Sequence, residues 1–308
     1  MAILVTGASG FVGSALIPKL LEKGHRVYGL SRHPPLGSKD LIPIIGDIRE
    51  PNLGQKSVPK DITTVYHLAS VHTLRQKDKD GSIWGTNVEG TKNVLDFCLK
   101  HDIPKLLFTS TAYAWPINPY GQSKMENEAE IKVFAEKHGL KVTILKPSIV
   151  LGTADHPYPG HFSRFVSAII QIHQRAELVR RKLEGSLRLP VIEPVFHIKG
   201  NPEGKLNLIQ VDQVAWGIAN IEENGTFWLT HPNPPTLQQL ADWVGEIIMV
   251  RMKFKLDFKP TPIETTFHKM SSPFAPYLQG DDFPSNLQLS PPITKDLIQE
   301  TVKQIILD

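Results

Sequence analysis

Two hydrophobic patterns take turns along the first half of the chain. Short apolar runs rich in branched residues, at 2–5 and 26–30, predict strands buried on both faces. Runs at 42–46, 63–68, 105–109 and 141–146 continue that series. Between them the apolar positions fall at helical spacing. Residues 14–23 set Leu16, Ile17, Leu20 and Leu21 on one face, and Gly24 is suited to cap the end. Further helices are predicted at 82–100 and at about 120–137. Strands alternating with helices predict an α/β fold, a doubly wound parallel sheet with right-handed crossovers.

After Pro147 the regularity breaks up. Prolines and glycines crowd 152–160, and a long helix at about 161–184 carries Arg164, Arg175, Arg180 and Arg181. Strands at 206–211 and 226–229 and helices at 212–221 and 237–250 follow. Residues 258–291 show no clear period, and the stretch from 293 places Leu297, Ile298 and Val302 at helical spacing. This predicts a main domain over 1–150, with contributions from about 206–230, and a smaller C-terminal lobe over 151–308.

The first strand runs straight into Thr6-Gly7-Ala8-Ser9-Gly10-Phe11-Val12-Gly13, and a helix follows. In that context Gly7 permits a tight turn, Gly10 lets backbone approach a pyrophosphate, and Gly13 allows close helix–strand packing. The N–H groups opening the helix are suited to the anion. A dinucleotide is therefore expected on Gly7, Ser9, Gly10, Phe11 and Val12. An acid at the end of the second strand would accept the ribose hydroxyls of NAD, but this chain has Ser31-Arg32-His33. A guanidinium suits a 2′-phosphate, so Ser31 and Arg32 point to NADP, with NAD as the alternative. Asp47 and Ile48 are placed to meet the adenine. Leu68, Ala69 and Ser70 fall beside the cofactor's centre.

Composition narrows the picture without changing it. The 308 residues are 41% hydrophobic and 21% charged, which fits a soluble globular protein. A net charge of +3 gives no argument for nucleic acid or an anionic membrane. No apolar run is long enough for a membrane span, and the N-terminus lacks the basic start of a signal peptide, so a cytoplasmic protein is expected. Cys98, the one cysteine, reads as a buried structural thiol. Asp155, His156 and His161 lack a ligand spacing, and no metal site is expected.

The strongest catalytic signal is Tyr120-Gly-Gln-Ser-Lys124, because residues four apart share a helix face. A neighbouring ammonium favours the tyrosinate, and the same lysine can hold the nicotinamide ribose. Tyr120 can then exchange a proton with a substrate oxygen while hydride moves at the adjacent carbon.

With TGASGFVG, GDI at 46–48, VYHLAS at 65–70, NVEGTKNVL at 87–95, YGQSK at 120–124, LKPSIVLG at 145–152 and VDQVA at 211–215, the chain resembles the extended short-chain dehydrogenases/reductases. Within that NAD-dependent epimerase/dehydratase-like group, the phrasing is nearest to acyl or thioester reductases and hydroxysteroid-type dehydrogenases. The resemblance implies a Rossmann-type NADP-binding domain and a substrate lobe. It makes Tyr120 the general acid/base, Lys124 its partner and Thr111 the third member of a triad. Pro147 and Ile149 then lie on the nicotinamide side, and Asn87 is a structural or water-holding asparagine. A homodimer through the helices at 82–100 and 120–137 is also implied.

Only nine residues separate Thr111 from Tyr120, where extended members carry a longer loop. Ser110 is the alternative hydroxyl if a tight turn over 116–119 does not bring Thr111 close. The expected activity is NADP-dependent reduction of an aldehyde, ketone or acyl thioester. The alternatives are a sugar-nucleotide epimerase with retained NAD and a non-catalytic NADPH-binding protein. A 4,6-dehydratase is disfavoured, since Ala112-Tyr113 supplies no acid beside Thr111. The arginines at 175–188 offer phosphate contacts for a CoA- or nucleotide-linked substrate, or else form a solvated helix face.

Overall fold

Ala2, Ile3, Leu4, Val5 and Thr6 are all buried, as a strand covered on both faces requires. This strand, β1 (Ala2–Thr6), lies at the centre of a seven-stranded sheet in a computed structural model that describes residues 1–153, 156–158, 160–187, 195–287 and 290–307. By its internal contacts the chain forms two units. The first comprises Met1–Ser148, Ile209–Thr230 and Pro284–Gln288; the second comprises Ile149–Leu208, His231–Phe283 and Leu289–Asp308.

In the first unit β1 is followed by α1 (Phe11–Glu22), β2 (Arg26–Ser31), β3 (Leu41–Ile45) and β4 (Ile62–His67). Then come α2 (Gly90–Lys100), β5 (Lys105–Thr109), α3 (Pro119–His138), β6 (Lys141–Pro147), α4 (Val211–Asn220) and β7 (Gly225–Leu229). The strand order is β7-β6-β5-β4-β1-β2-β3, and every pairing is parallel. This is a Rossmann-like α/β sheet. The chain winds outward from β1 through β2 and β3, then restarts at β4 on the other side. The reversal lies between β1 and β4, and in open α/β sheets ligand crevices form there, beyond the carboxyl ends of the strands.

The core under this edge includes Leu4, Leu30, Val65, Leu95, Phe97, Leu106 and Phe108. Burying each such side chain contributes about 1.5–3 kcal/mol relative to exposure. Cys98 is part of this core, and burial pushes its thiol up to about 12, which fits the inert role expected of it. The helix predicted over 82–100 is interrupted. Ser82–Trp84 is α-helical, Gly85–Glu89 is a π turn, and α2 resumes at Gly90. A Cβ on Gly90 would lie 2.8 Å from Cδ1 of Ile48, so the segment packs tightly on the turn after β3.

The second unit holds the long helix His161–Leu187 and a parallel pair of strands, Phe196–Lys199 with Met252–Lys255. It also holds the helices Leu237–Ile248, Pro262–Met270 and Lys295–Leu307. Neither strand of that pair was expected, and the helix Pro262–Met270 falls where no period was visible. Its start is nevertheless written locally. Thr261 and Glu264 form a reciprocal capping box around Pro262 at the first helical position. The strand expected over 206–211 is shorter, Leu208–Gln210, because Val211 already opens α4. Among the described residues no helix is long and apolar enough to cross a membrane.

Candidate active site

The glycine turn is built as its spacing implies. Gly7 has φ +71°, and a Cβ there would lie 2.8 Å from the backbone N of Ala69, so the turn after β1 presses on the turn after β4. A Cβ on Gly13 would meet the carbonyl oxygen of Gly7 at 2.4 Å, which fixes how closely α1 approaches. Gly10 is the N-cap of α1. An ordinary capping side chain would cover the first N–H groups of the helix; glycine leaves that cradle uncovered. Ser9 and Gly10 are exposed, and Phe11 and Val12 are half-buried. Ser9 donates to Ser31 Oγ at 3.0 Å, joining the turn to the end of β2. This donor set fits a dinucleotide phosphate.

Arg32 is exposed directly beyond β2, and its positive charge is felt at Asp47. The Asp47 carboxylate is itself occupied. Arg49 donates through Nε at 3.1 and 3.0 Å, Nη2 at 2.5 Å and its backbone N at 3.0 Å. These hydrogen bonds hold the carboxyl below the usual range. Any adenine contact at Asp47 must share oxygens already engaged by Arg49. Ile48 is buried beneath Gly90.

Tyr120 and Lys124 lie one turn apart at the start of α3. Asn118 caps this helix through Oδ1, which accepts from Gly121 N at 2.8 Å, and Pro119 takes the first position. Tyr120 is half-buried, whereas Lys124 is 2% exposed. The ammonium of Lys124 donates to the carbonyl of Thr109 at 2.8 Å and stands 4.7 Å from the Phe108 ring centre and 6.0 Å from that of Tyr120. Burial lowers its pKa to about 7, a fall opposed by the negative charge of Glu128.

The segment between Thr111 and Tyr120 is short because it turns tightly. Trp115 N donates to Tyr113 O and Ile117 N to Trp115 O, both at 2.9 Å. The segment crosses directly over Gly121, where a Cβ would lie 2.4 Å from Trp115 O and 2.9 Å from Tyr113 O. Thr111 is buried, and its Oγ1 accepts from Tyr113 N at 3.2 Å. Ser110 cannot stand in for it freely, since its hydroxyl donates to Glu128 Oε1.

A tyrosine–lysine helix and a glycine turn on one parallel sheet have relatives. The profile of the NAD dependent epimerase/dehydratase family matches residues 3–188. This chain belongs to that family. A putative UDP-glucose 4-epimerase of Methanocaldococcus jannaschii is 32% identical over 195 residues, covering 55% of this chain and 63% of that protein. A 2-alkyl-3-oxoalkanoate reductase of Stenotrophomonas maltophilia is 29% identical over 183 residues, covering 50% of this chain and 52% of its own length. The chain thus spans less than two thirds of these curated relatives. Among solved structures, the UDP-glucose 4-epimerase of Thermotoga maritima with UDP-glucose aligns at a TM-score of 0.67 and 20% identity over 100% of both chains. A UDP-glucuronic acid 4-epimerase of Bacillus cereus, with UDP-glucuronic acid and NAD, aligns at 0.67 and 18%, over 100% of this chain and 99% of that one. At such identities the likeness shows the fold alone.

Within this epimerase/dehydratase framework Asn87 has a legible task. Its Oδ1 accepts from Ser70 Oγ at 3.1 Å and Val71 N at 2.8 Å. Its Nδ2 donates to Val71 O and to Ser123 Oγ, both at 2.9 Å, and Ser123 donates onward to Tyr120 O at 2.7 Å. Asn87 lies inside the π turn and ties the loop after β4 to α3. Leu68, Ala69 and Ser70, in that loop, are half-buried.

His67 is the second internal tie. Thr91 gives its one hydroxyl proton to Asn87 O at 2.5 Å, so His67 Nε2 must donate to Thr91 Oγ1 at 3.0 Å. Its Nδ1 then accepts from Thr6 Oγ1 at 2.7 Å. Burial, with the Lys124 charge, lowers the pKa of this imidazole to about 3 and so keeps it neutral near pH 7. The relay runs from the residue before Gly7 to Asn87, a structural role.

Pro147 is buried at the end of β6, and Ile149 opens the second unit, its N donating to Asn207 O at 3.2 Å. Arg180 is paired with Glu177 and Glu184 on its own helix, and Arg181 with Glu177, as a solvated face would be. Asp155 and Arg188 lie outside the described residues. Among the described residues no group of three or more His, Cys, Asp or Glu could hold a metal ion.

Proposed function

We propose that this protein is an NADP-dependent oxidoreductase acting on a carbonyl or the corresponding alcohol, with Tyr120 as general acid/base. The observation that carries the reading is the Lys124 ammonium. It is sealed from water on the Tyr120 face of α3 and anchored to Thr109 O. A cation held there stabilises the tyrosinate, so Tyr120 can take a proton from a hydroxyl or return one to a carbonyl oxygen. Thr111 is the hydroxyl assigned to orient that oxygen. The dinucleotide, when bound, supplies or accepts the hydride.

The residues assigned to hold it are Gly7, Ser9, Gly10, Phe11 and Val12 at the phosphates, Ser31 and Arg32 at the adenosine ribose, and Asp47 and Ile48 at the adenine. Leu68, Ala69, Ser70, Pro147 and Ile149 are assigned to its nicotinamide half, with Tyr120 and Lys124. Arg32 supports NADP over NAD. It extends from a strand end that has no acid, and the nearby Asp47 is already held by Arg49.

A second reading is a nucleotide-sugar epimerase that retains NAD. It is supported by the UDP-glucose 4-epimerases among both the relatives and the solved neighbours. The test is a panel of aldehydes, ketones and acyl thioesters with NADPH and with NADH, beside an assay of UDP-glucose interconversion with no added cofactor. Turnover of NADPH supports the first reading. UDP-sugar interconversion with tightly bound NAD and no net redox supports the second and refutes the first.

A further inference from the structure

Glu128 stands one turn beyond Lys124, so Tyr120, Lys124 and Glu128 form a row along one face of α3. Its side chain is 14% exposed, and both carboxylate oxygens are engaged. Lys146, in β6, reaches Oε1 at 2.8 Å and Oε2 at 3.0 Å, and Ser110 donates to Oε1. Lys146 is itself 10% exposed and lies 4.9 Å from the Trp228 ring centre. Ser110 directly follows Thr109, whose carbonyl receives Lys124, and directly precedes Thr111. One carboxylate therefore pairs directly with the shielded Lys146 ammonium, lies one turn from the shielded Lys124 ammonium, and grips the carboxyl ends of β5 and β6.

We propose that Glu128 is a positioning residue for the Tyr120–Lys124 pair. It is the counter-charge that keeps the Lys124 ammonium protonated and the peg that fixes the Ser110–Thr111 corner. This rests on the preceding reading in one respect, that Lys124 serves Tyr120 as a cation. The groups facing Lys124 are Tyr120 and Glu128 on its own helix, neutral His67 and the Thr109 carbonyl from the sheet, and Lys146 across Glu128. Glu128 is the anion of that set. The direction of its effect matches the geometry, since its charge raises the Lys124 pKa against the lowering by burial.

The experiment is an NMR titration of the full chain labelled with ¹³C at lysine Cε, the Lys124 signal being assigned by its loss in Lys124→Arg. Glu128→Gln keeps an acceptor for Ser110 but removes the charge, and should lower the Lys124 midpoint by about one unit, tenfold in proton affinity. Lys146→Met removes the competing cation and should raise it. Opposite shifts separate an electrostatic role from a packing one, and Lys146→Met carries the test alone if Glu128→Gln does not fold. An unmoved midpoint in the variants that fold, or shifts of the same sign, would overturn the proposal. In activity, Glu128→Gln should lower kcat at neutral pH and regain it as pH falls, with KM for the cofactor steady. If Tyr120→Phe kept its turnover while the titration shifts stood, the proposed function would fail and the role of Glu128 as counter-charge would not.

Discussion

Replacing Lys124 by methionine should make this protein more stable and inactive at once. The ammonium is 2% exposed, and its pKa falls from 10.5 to about 7 on folding, burial being the largest cause. A shift of that size corresponds to roughly 5 kcal/mol of unfavourable charge burial at and below neutrality. Methionine matches the length of the stem and packs against Phe108, but leaves the Thr109 carbonyl without its donor, a loss of about 1–3 kcal/mol. The net expectation is a gain of about 2 kcal/mol at pH 7, roughly 3 °C in Tm for a chain of this length. The sign with pH follows from proton binding. Between about 7 and 10.5 the unfolded chain holds the Lys124 proton and the native state has lost it, so wild-type stability from this group rises with pH. The methionine variant lacks that rise. Its advantage should therefore be largest at or below pH 7 and shrink by about pH 9.5. Thermal unfolding of both proteins at the two pH values gives the comparison. A variant no more stable at pH 7, or an advantage equal at both values, would refute the reasoning.

Tyr120→Phe removes only the transferable proton and should lower kcat by about 10²–10⁴. NADPH affinity by titration should stay near wild type, and turnover within tenfold of wild type would remove Tyr120 as the main acid/base. Arg32→Ala should weaken NADPH by about tenfold to hundredfold, consistent with charge-assisted hydrogen bonds of roughly 1.5–3 kcal/mol less some exposure, and leave NADH almost unchanged. Equal losses for both cofactors in paired titrations would show that Arg32 reads no phosphate. Gly121→Ala places a methyl 2.4 Å from Trp115 O and should cost about 1–3 kcal/mol in chemical denaturation, with activity falling as the 111–120 segment shifts; an unchanged midpoint would mean the segment relaxes freely.

The sheet was legible because its strands are buried on both faces and carry nearly unbroken apolar runs, as at Ile3, Leu4 and Val5. Gly13 was legible for a local reason, since it answers to backbone atoms of Gly7 and Ala8, whereas Gly7 was legible through the turn it opens although the backbone it presses on, at Ala69, belongs to the loop after β4. The π turn at Gly85–Glu89 was not, because its cause is distant. Asn87 satisfies Ser70 and Val71 from the neighbouring loop and Ser123 from α3, and no periodicity within 82–100 records those partners. Strands Phe196–Lys199 and Met252–Lys255 are four residues each and end on an exposed lysine, so neither carries the unbroken apolar run that marks the main sheet. Glu128 went unnoticed for the same reason as the π turn. On the helix it is one more acid, and only Lys146 in β6 and Ser110 just beyond β5 make it a hub.

The question of which hydroxyl accompanies Tyr120 turns on that hub. From the sequence, Thr111 is the hydroxyl the resemblance assigns and Ser110 the alternative, neighbours just beyond β5. In the fold they differ in what their protons already do. Ser110 gives its proton to Glu128, an anion also held by Lys146, and withdrawing it would leave a shielded carboxylate short of a donor. Thr111 accepts from Tyr113 N, which uses a lone pair and leaves the hydroxyl proton for the role proposed for it at a substrate oxygen. The short turn over Gly121 brings Tyr113 back onto Thr111. It fixes the threonine rotamer while the serine fixes the corner. On that division of labour Thr111→Val should reduce kcat and, by leaving Tyr113 N without its acceptor, cost about 1–3 kcal/mol in stability while leaving the Lys124 titration unmoved. Ser110→Ala should weaken the Glu128 clamp first, appearing in stability and in the Lys124 titration before it appears in the chemistry.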